Sequence, residues 1–349
     1  MATPPRTIAH IAKQAGVSTA TVSRALTAKT RSQVAPRTLA RIERLAQRCH
    51  YTPNAAAATL RRASSQAIGV VLPHHRRVFL EDYYANILAG VSDSLLDSAY
   101  HLTTVMLKCE TPLWDTYRFR SGKGVDGLIV THWRAFFSGP SVFRTLDVPC
   151  VVISDPEPDL HAHCVSGDHL LGGRLAAEHL YAHGHRTIAV LTGPANSVDS
   201  RLRVQGFAAF LRGAGVRLDR RLIRCGEFQE EAAYQVTGPL LKSRRGITAI
   251  FCCNDAMAFG VMGRLRELGI PCPERISVMG YDDDQRAASV SPPLTTVRVP
   301  IYELAQEAAR RLLQHLQDRQ AEAFLSRATL LPVAVVARQS VGRRAPRRR

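Results

Sequence analysis

Residues 7–26 read TIAHIAKQAGVSTATVSRAL, and this stretch decides what kind of protein the chain is. Ile8, Ile11, Ala12 and Ala15 fall on one face at the helical period, and Gly16 then breaks it. Ser18 is a good N-cap for a second short helix running through Val22 to Leu26. After a polar loop, Pro36 opens a third helix whose inner face is Leu39, Ile42, Leu45 and Ala46. Three short helices with a Gly-bearing turn between the first two make a helix-turn-helix unit. On the second helix, Ser18, Thr19, Ala20, Thr21, Ser23 and Arg24 form one polar face, while Val22 and Leu26 hold the helix to its partners. Hydroxyls and helix N-terminal amides suit phosphate oxygens, and the Arg24 fork reaches a guanine edge in a major groove. The bland alternative is a solvated surface helix.

Charge supports the first reading. The 349 residues carry 46 Lys+Arg against 29 Asp+Glu, a formal +17. Residues 1–62 hold eleven of the cations and one acid, Glu43, and residues 343–349 hold five arginines, so residues 63–342 as a whole are nearly neutral. The basic ends, not the body, are expected to meet a polyanion. The arginine tail, 341–349, is expected to be disordered and to add non-specific phosphate attraction. No stretch approaches the ~20 apolar residues needed to span a bilayer, and no apolar leader precedes Arg6 and Lys13, so the expectation is a cytoplasmic, nucleoid-associated protein with no membrane partner. The eight cysteines are scattered without a C-x-x-C pair and read as reduced apolar residues, with neither metal nor other cofactor.

Beyond Tyr51 come Pro53-Asn54 and an alanine run ending at Thr59-Leu60-Arg61-Arg62, too short to be a stable helix alone. Residues 53–64 are therefore a conditional linker after a 1–52 head. From Ser65 the texture changes to apolar strands (67–72, 102–107, 127–130, 150–153, 187–191, 249–252, 277–280) alternating with amphipathic helices (84–98, 168–182, 201–213, 230–243, 255–268, 301–318). Such alternation predicts right-handed βαβ units and parallel sheets covered on both faces. The length exceeds one sheet, so two lobes are expected: 65–165 plus 297–325, and 166–296 plus 326–340.

The motif Thr7-Ile8-x-x-Ile11-Ala12-x-x-Ala15-Gly16-Val17-Ser18-x-x-Thr21-Val22-Ser23-Arg24-x-Leu26, then Tyr51-x-Pro53-Asn54-x-x-Ala57-x-x-Leu60, resembles the DNA-binding segment of the lactose-repressor (LacI/GalR) family. The resemblance runs on to about Gln339 through Gly184-His185, Arg203-x-x-Gly206-Phe207, Asn254-Asp255-x-Met257-Ala258, Gly280-Tyr281-Asp282-Asp283 and Pro293-Leu294-Thr295-Thr296. It implies an all-α helix-turn-helix head plus an α/β two-lobed, periplasmic-binding-protein-like core of two doubly wound parallel sheets. It also implies a non-enzymatic, ligand-responsive regulator, most often a repressor, that binds a palindromic double-stranded DNA operator as a homodimer. Thr19, Ala20 and Arg24 then read bases, Ser18, Thr21 and Ser23 lie near phosphates, Thr7, Asn54 and Ala57 are further DNA-binding positions, and Leu60 wedges into the minor groove, where an apolar side chain unstacks and kinks a duplex. The ligand, a sugar or related metabolite, is expected between the lobes near Tyr83, Tyr84, Ser154, Ser197, Asp199, Arg203, Phe228, Asn254 and Asp282. Several of these follow strand ends, where parallel sheets bind ligands. Asp282 accepts from hydroxyls, Arg203 donates a fork, Asn254 does both, and the aromatic faces stack.

Two departures leave the ligand open: Ser154-Asp155 where many relatives place Asp directly after the strand, and His74-His75-Arg76-Arg77, which suits an anion. Nothing resembling the leucine-rich tetramerisation segment of some relatives occurs in 340–349, which favours a dimer. Competing signals are weaker. Gly122 to Gly127 spells G-x-G-x-x-G but precedes a strand, so it fails as a dinucleotide fingerprint. His161/His163 and His183/His185 lack a third metal ligand. Asp282-Asp283-Asp284 lacks the nucleophile and base of a hydrolase. A metabolic binding protein or enzyme with an incidental basic N-terminus is the competing class.

Overall fold

A computed structural model describes residues 7–26, 30–51, 64–74, 78–108, 124–137, 139–154, 156, 160, 162–243, 246–318 and 328–344. The chain divides into two compact units, Met1–Ser65 and Gln66–Arg349. Asn54, Ala57 and Leu60, with His75 to Arg77 and His161, lie outside the described residues.

In the first unit α1 (Ile8–Ala15), α2 (Thr19–Ala25) and α3 (Pro36–Arg48) enclose a small core of Ile11, Ala15, Val22, Ala25, Ile42 and Ala46. Each boundary has a chemical cause. Thr7 Oγ1 accepts from the His10 amide at 3.2 Å and Ser18 Oγ from the Thr21 amide at 3.1 Å, which satisfies one orphan donor at each helix start. Gly16 ends α1 at φ 64°, a left-handed conformation for which glycine is the natural residue. Glu43, the lone acid, pairs with Arg31 at 2.7 Å on the surface.

The second unit holds two parallel sheets. The six-stranded sheet, in the order β11-β5-β4-β3-β1-β2, is built from β1 (Ala67–Pro73), β2 (His101–Leu107), β3 (Gly127–Thr131), β4 (Cys150–Ile153), β5 (His163–Gly167) and β11 (Ala328–Leu331). Helices α4 (Asp82–Leu95) and α9 (Ile301–Asp318) pack together against it. The four-stranded sheet, β7-β6-β8-β9, comprises β6 (Ile188–Thr192), β7 (Ile223–Cys225), β8 (Ala249–Cys252) and β9 (Ser277–Met279). It is served by α5 (His169–Ala182), α6 (Val198–Gly213), α7 (Glu230–Ser243) and α8 (Asp255–Glu267). Strands β1, β3 and β4 are buried throughout, as strands covered on both faces must be. An antiparallel pair, β10 (Thr296–Arg298) with β12 (Ala334–Val336), lies on the segments that link the lobes.

The sequence reading placed 326–340 with the second lobe, whereas Ala328–Leu331 pairs in parallel with β5 as the edge of the first sheet. That pairing supplies β5 with a second neighbour, which is why a strand as polar as HCVSG is buried.

Helices α5 and α6 cross at glycine. A Cβ on Gly206 would overlap the Leu170 carbonyl, and one on Gly173 the Arg203 carbonyl. Gly206→Ala is therefore expected to push the helices apart and cost about 1–3 kcal/mol. A thermal melt should show Tm lower by roughly 2–10 °C, and an unchanged Tm would refute the close crossing.

Candidate ligand cleft and nucleic-acid interface

In the first unit, Val22 and Ala25 are buried on the inner face of α2, which turns Thr19, Ala20 and Arg24 outward into solvent. Ser18 Oγ also lies 2.9 Å from Thr21 Oγ1, and the Arg24 carbonyl accepts from Thr30 Oγ1 at 3.0 Å. The exposed arginines Arg37, Arg41, Arg44 and Arg48 of α3 complete a basic surface. A short helix presenting small residues and one long cationic fork can enter a major groove without steric hindrance.

In the second unit, a polar cluster collects where the strands of the two lobes end. His169, at the start of α5, sits 3.2 Å through Nε2 from Asp199 Oδ2. Its Nδ1 accepts from Arg203 Nε at 3.4 Å and lies 3.1 Å from the Tyr281 hydroxyl. Because guanidinium only donates, Nδ1 carries no proton, and the proton on Nε2 faces Asp199. Arg203 further reaches Asp282 Oδ1 at 3.4 Å and the Cys253 carbonyl, and its guanidinium lies 4.0 Å from the Tyr281 ring centroid and 5.9 Å from that of Phe228. His169, Asp199 and Arg203 are all buried.

Such burial shifts every titration. Burial pushes His169 down, only partly offset by Asp199, so it is a neutral imidazole. Burial by itself would raise Asp199, but His169, Arg203 and His132 hold its carboxyl well below the usual range. Burial pushes Asp282 up to about 7 despite the pull of Arg203, with Asp199, Asp284 and Asp82 adding to the rise.

The first lobe supplies the opposite wall. Tyr83 and Tyr84 stack edge to face at 5.1 Å, and both pack on His132 at 4.9 and 6.0 Å. Tyr83 Oη is 3.4 Å from Ser154 Oγ, and Tyr84 Oη is 3.4 Å from His132 Nδ1. His132 is pushed down by burial and feels Asp199, Arg203 and His169 of the second lobe, so the two walls face each other. Asp82 Oδ2 accepts from the Gln285 amide at 3.3 Å across the mouth. Four of the wall residues hold left-handed backbone without being glycine: His132 (φ 45°), Ser154 (72°), Phe228 (58°) and Asp282 (115°). Strain of this kind persists where surrounding contacts over-determine it, typically around ligand sites.

Comparison with known proteins agrees with both halves. Residues 7–54 match the lacI family of bacterial regulatory proteins, and residues 177–341 match the periplasmic binding protein-like domain. The transcriptional repressor PurR of Haemophilus influenzae is 30% identical over 314 residues, covering 90% of this chain and 92% of the relative. The regulator CelR of Thermobifida fusca is 30% identical over 320 residues, covering 90% and 93%. Among solved structures, a lac repressor dimer bound to operator and the anti-inducer ONPF superposes with a TM-score of 0.82 at 28% identity, over 96% of this chain and 99% of that one. A CelR–cellobiose complex superposes at 0.72 and 26% identity, over 96% and 99%.

The chain belongs to the LacI family.

This is a family of transcriptional regulators and not of enzymes, with a helical head and the two-lobed periplasmic-binding-protein-like core described above. Within that frame the cleft draws together Tyr83, Tyr84, Ser154, Asp199, Arg203, Phe228 and Asp282. Ser197 and Asn254 are instead occupied with helix starts: Ser197 Oγ accepts from the Ser200 amide at 3.2 Å, and Asn254 Oδ1 from the Met257 amide at 3.0 Å. Asn254 Nδ2 also donates to the Phe228 carbonyl at 3.0 Å, fixing the loop that carries that ring. The three consecutive aspartates separate: Asp282 to Arg203, Asp283 to Arg338 at 2.7 Å, and Asp284 to the Arg286 amide at 2.7 Å. Asp255 is buried, and desolvation pushes its carboxyl up; it accepts from Thr296 Oγ1 at 2.6 Å and from the Asp284 amide at 2.8 Å, which ties α8 to the linking strand β10. His183 and His185 are structural: His183 Nδ1 pairs with the His179 carbonyl, and His185 bridges Thr248 and Gly342. His163 is likewise buried beside Thr329.

His132 and His169 were not singled out in the sequence, and Tyr281 was quoted only as part of the family motif. His132 directly follows β3 and His169 follows the Asp168 cap after β5, so the strand-end rule that selected Asp282 was capable of finding both.

Proposed function

We propose that the chain is a ligand-responsive, sequence-specific DNA-binding repressor, acting in the cytoplasm as a homodimer on a pseudo-palindromic operator. The observation that carries this reading is α2, held down by Val22 and Ala25 with Thr19, Ala20 and Arg24 free to face base edges. One such head makes few base contacts, so two-fold symmetry doubles the half-sites. Thr7, Ser18, Thr21 and Ser23 steady the head on phosphates. Residues 53–64, with Asn54, Ala57 and Leu60, form the hinge between a 1–52 head and a 65–340 core. PurR is named a repressor, and the lac repressor structure is described as a dimer bound to operator, which supports extending the same arrangement here.

The effector is a small neutral metabolite of the sugar class, held between the Tyr83–Tyr84–His132 wall and the Arg203–Asp282 pair. The Arg203 cation is balanced by Asp282 at 3.4 Å and by the nearby Asp199 carboxylate, so the cleft offers donors and acceptors without a strong net field. Occupancy shifts the angle between lobes and, through the linking strands, the hinge, a two-state element that both ligands bias. The test is selection of genomic fragments by the purified full chain, followed by anisotropy titration with and without a panel of sugars and nucleosides. A preferred fragment whose affinity one panel member changes at least about fivefold is expected, a typical allosteric coupling. No preference for any fragment over random competitor, with or without the panel, would sink the reading.

A further inference from the structure

The strands of the second sheet run parallel, so the segments entering β6, β7, β8 and β9 meet at one end of that lobe, opposite the strand ends that form the cleft. Tyr181 on α5 and Phe210 on α6 touch there, ring centroids 5.9 Å apart, which brings the C-termini of the two helices side by side. This end concentrates positive charge that the near-neutral total for residues 63–342 conceals. From Arg212 to Arg224 the chain carries five arginines against one acid, Asp219, and that acid is taken by Arg221 at 3.2 Å. Arg212, Arg217 and Arg220 are exposed and have no side-chain partner among the described residues.

A separate part of the chain arrives at the same place. Gly342 is hydrogen-bonded to the lobe at two points, its carbonyl 3.1 Å from His185 Nε2 and its amide donating to Ser277 Oγ at 3.1 Å. The Arg344 amide then donates to the His183 carbonyl at 2.9 Å, so Arg343 and Arg344 are pinned beside Arg186, whose guanidinium lies 3.4 Å from the Tyr181 ring centroid. Among the described residues the nearby acids are few: Glu178 on the last turns of α5, Glu267, which is bound by Arg264 and Tyr234, and Glu274, which precedes β9. The helix C-terminal dipole accounts for Arg212, but Arg217, Arg343 and Arg344 lie in no helix. Leu268 is the one exposed large apolar side chain at this end among the described residues, so the aromatic and aliphatic anchors of a protein interface are missing. Unpaired guanidiniums without apolar anchors match a phosphate backbone.

We propose that this end of the second lobe is a second, sequence-independent contact surface for duplex DNA, separate from the helix-turn-helix head. Only the choice of duplex as the polyanion rests on the DNA-binding reading above.

The test compares the full-length chain with two triple variants, R212E/R217E/R220E and the gentler R212Q/R217Q/R220Q, the latter with an unchanged melting curve as its folding control. Protein saturated with its selected operator is challenged with a labelled random-sequence duplex at low salt. The wild type captures the second duplex, and both variants lose capture by about tenfold or more while operator affinity under excess competitor stays within about twofold. The log–log salt slope for random duplex should fall by about 0.9 for each arginine removed. Unchanged capture and slope in both variants overturn the proposal, and so does a wild type that binds polyglutamate in preference to duplex, which would assign the surface to an acidic protein. If no operator is found, the repressor reading fails, but capture of random duplex by free protein and its dependence on the three arginines still decide this one.

Discussion

Replacing Arg24 with alanine is expected to abolish operator discrimination while leaving the protein folded. Arg24 is exposed on α2, whose packing comes from Val22 and Ala25, so truncation removes no core contact. A bidentate contact to a base edge contributes about 1–3 kcal/mol, and a symmetric dimer uses it twice, so specific affinity should fall by roughly 30-fold to 20,000-fold. Binding to random duplex should weaken far less, because only a phosphate-scale attraction is lost. Anisotropy with operator and scrambled duplexes separates the two. Equal losses on both sequences would make Arg24 a phosphate contact and transfer the reading of bases to Thr19 and Ala20. Leu60→Ala provides a companion test of the hinge.

Asp282 should make ligand affinity depend on pH near neutrality. Burial raises its carboxyl to about 7, while His169 and His132 are pushed down and stay neutral over the same interval. The ionised carboxylate is the form that accepts from ligand hydroxyls and balances Arg203. Affinity is therefore full above about pH 7.5 and falls by up to about tenfold per unit as pH drops through 7, one proton being taken up. Asp282→Asn should flatten that profile and weaken binding by about 10- to 100-fold, the typical worth of a hydrogen bond to a charged group. Stability should move the other way. A carboxyl whose folded value lies above its unfolded one binds more protons folded than unfolded, so the native state loses stability as pH rises from about 4 to 7. Removing the charge should accordingly raise stability at about pH 8 by on the order of 2 kcal/mol after allowing for solvent screening, a Tm gain of several degrees. Isothermal titration over pH and parallel thermal melts check both arms. A variant that loses affinity and stability together would make Asp282 a structural ion pair.

Local chemistry explains which elements were legible beforehand. Cys150–Ile153, Ala249–Cys252, residues 230–243 and residues 301–318 were expected with the boundaries observed, because each strand is a clean apolar run and each helix keeps an apolar face at the helical period, in 230–243 even across Gly238-Pro239. Strands β5, β7, β10, β11 and β12 were not anticipated. His163–Gly167 contains histidine, serine and glycine, and three-residue strands carry too little pattern to detect. Their strand character comes from neighbours: β5 from β4 and β11, and β10 from β12.

The site divides in the same way. Asp282 could be named from residue type and its place after a strand, and Arg203 and the tyrosines from the family resemblance, but the buried His169–Asp199 pair and the orientation of His132 require two lobes to meet. Ser197 and Asn254 have the right chemistry for a ligand, yet their oxygens cap helices, a choice that depends on backbone direction.

By itself the sequence determined the helix-turn-helix head, the alternation that makes parallel sheets, and the sign of charge at each end of the chain, because these follow from spacing and composition over neighbouring residues. Tertiary structure alone decided which strands complete the first sheet, which carboxyls are ionised, and that arginines from Arg186 to Arg344 share one end of a lobe. Burial and Coulomb interactions depend on distance through space, and residues separated by more than a hundred positions acquire that distance only when the chain folds.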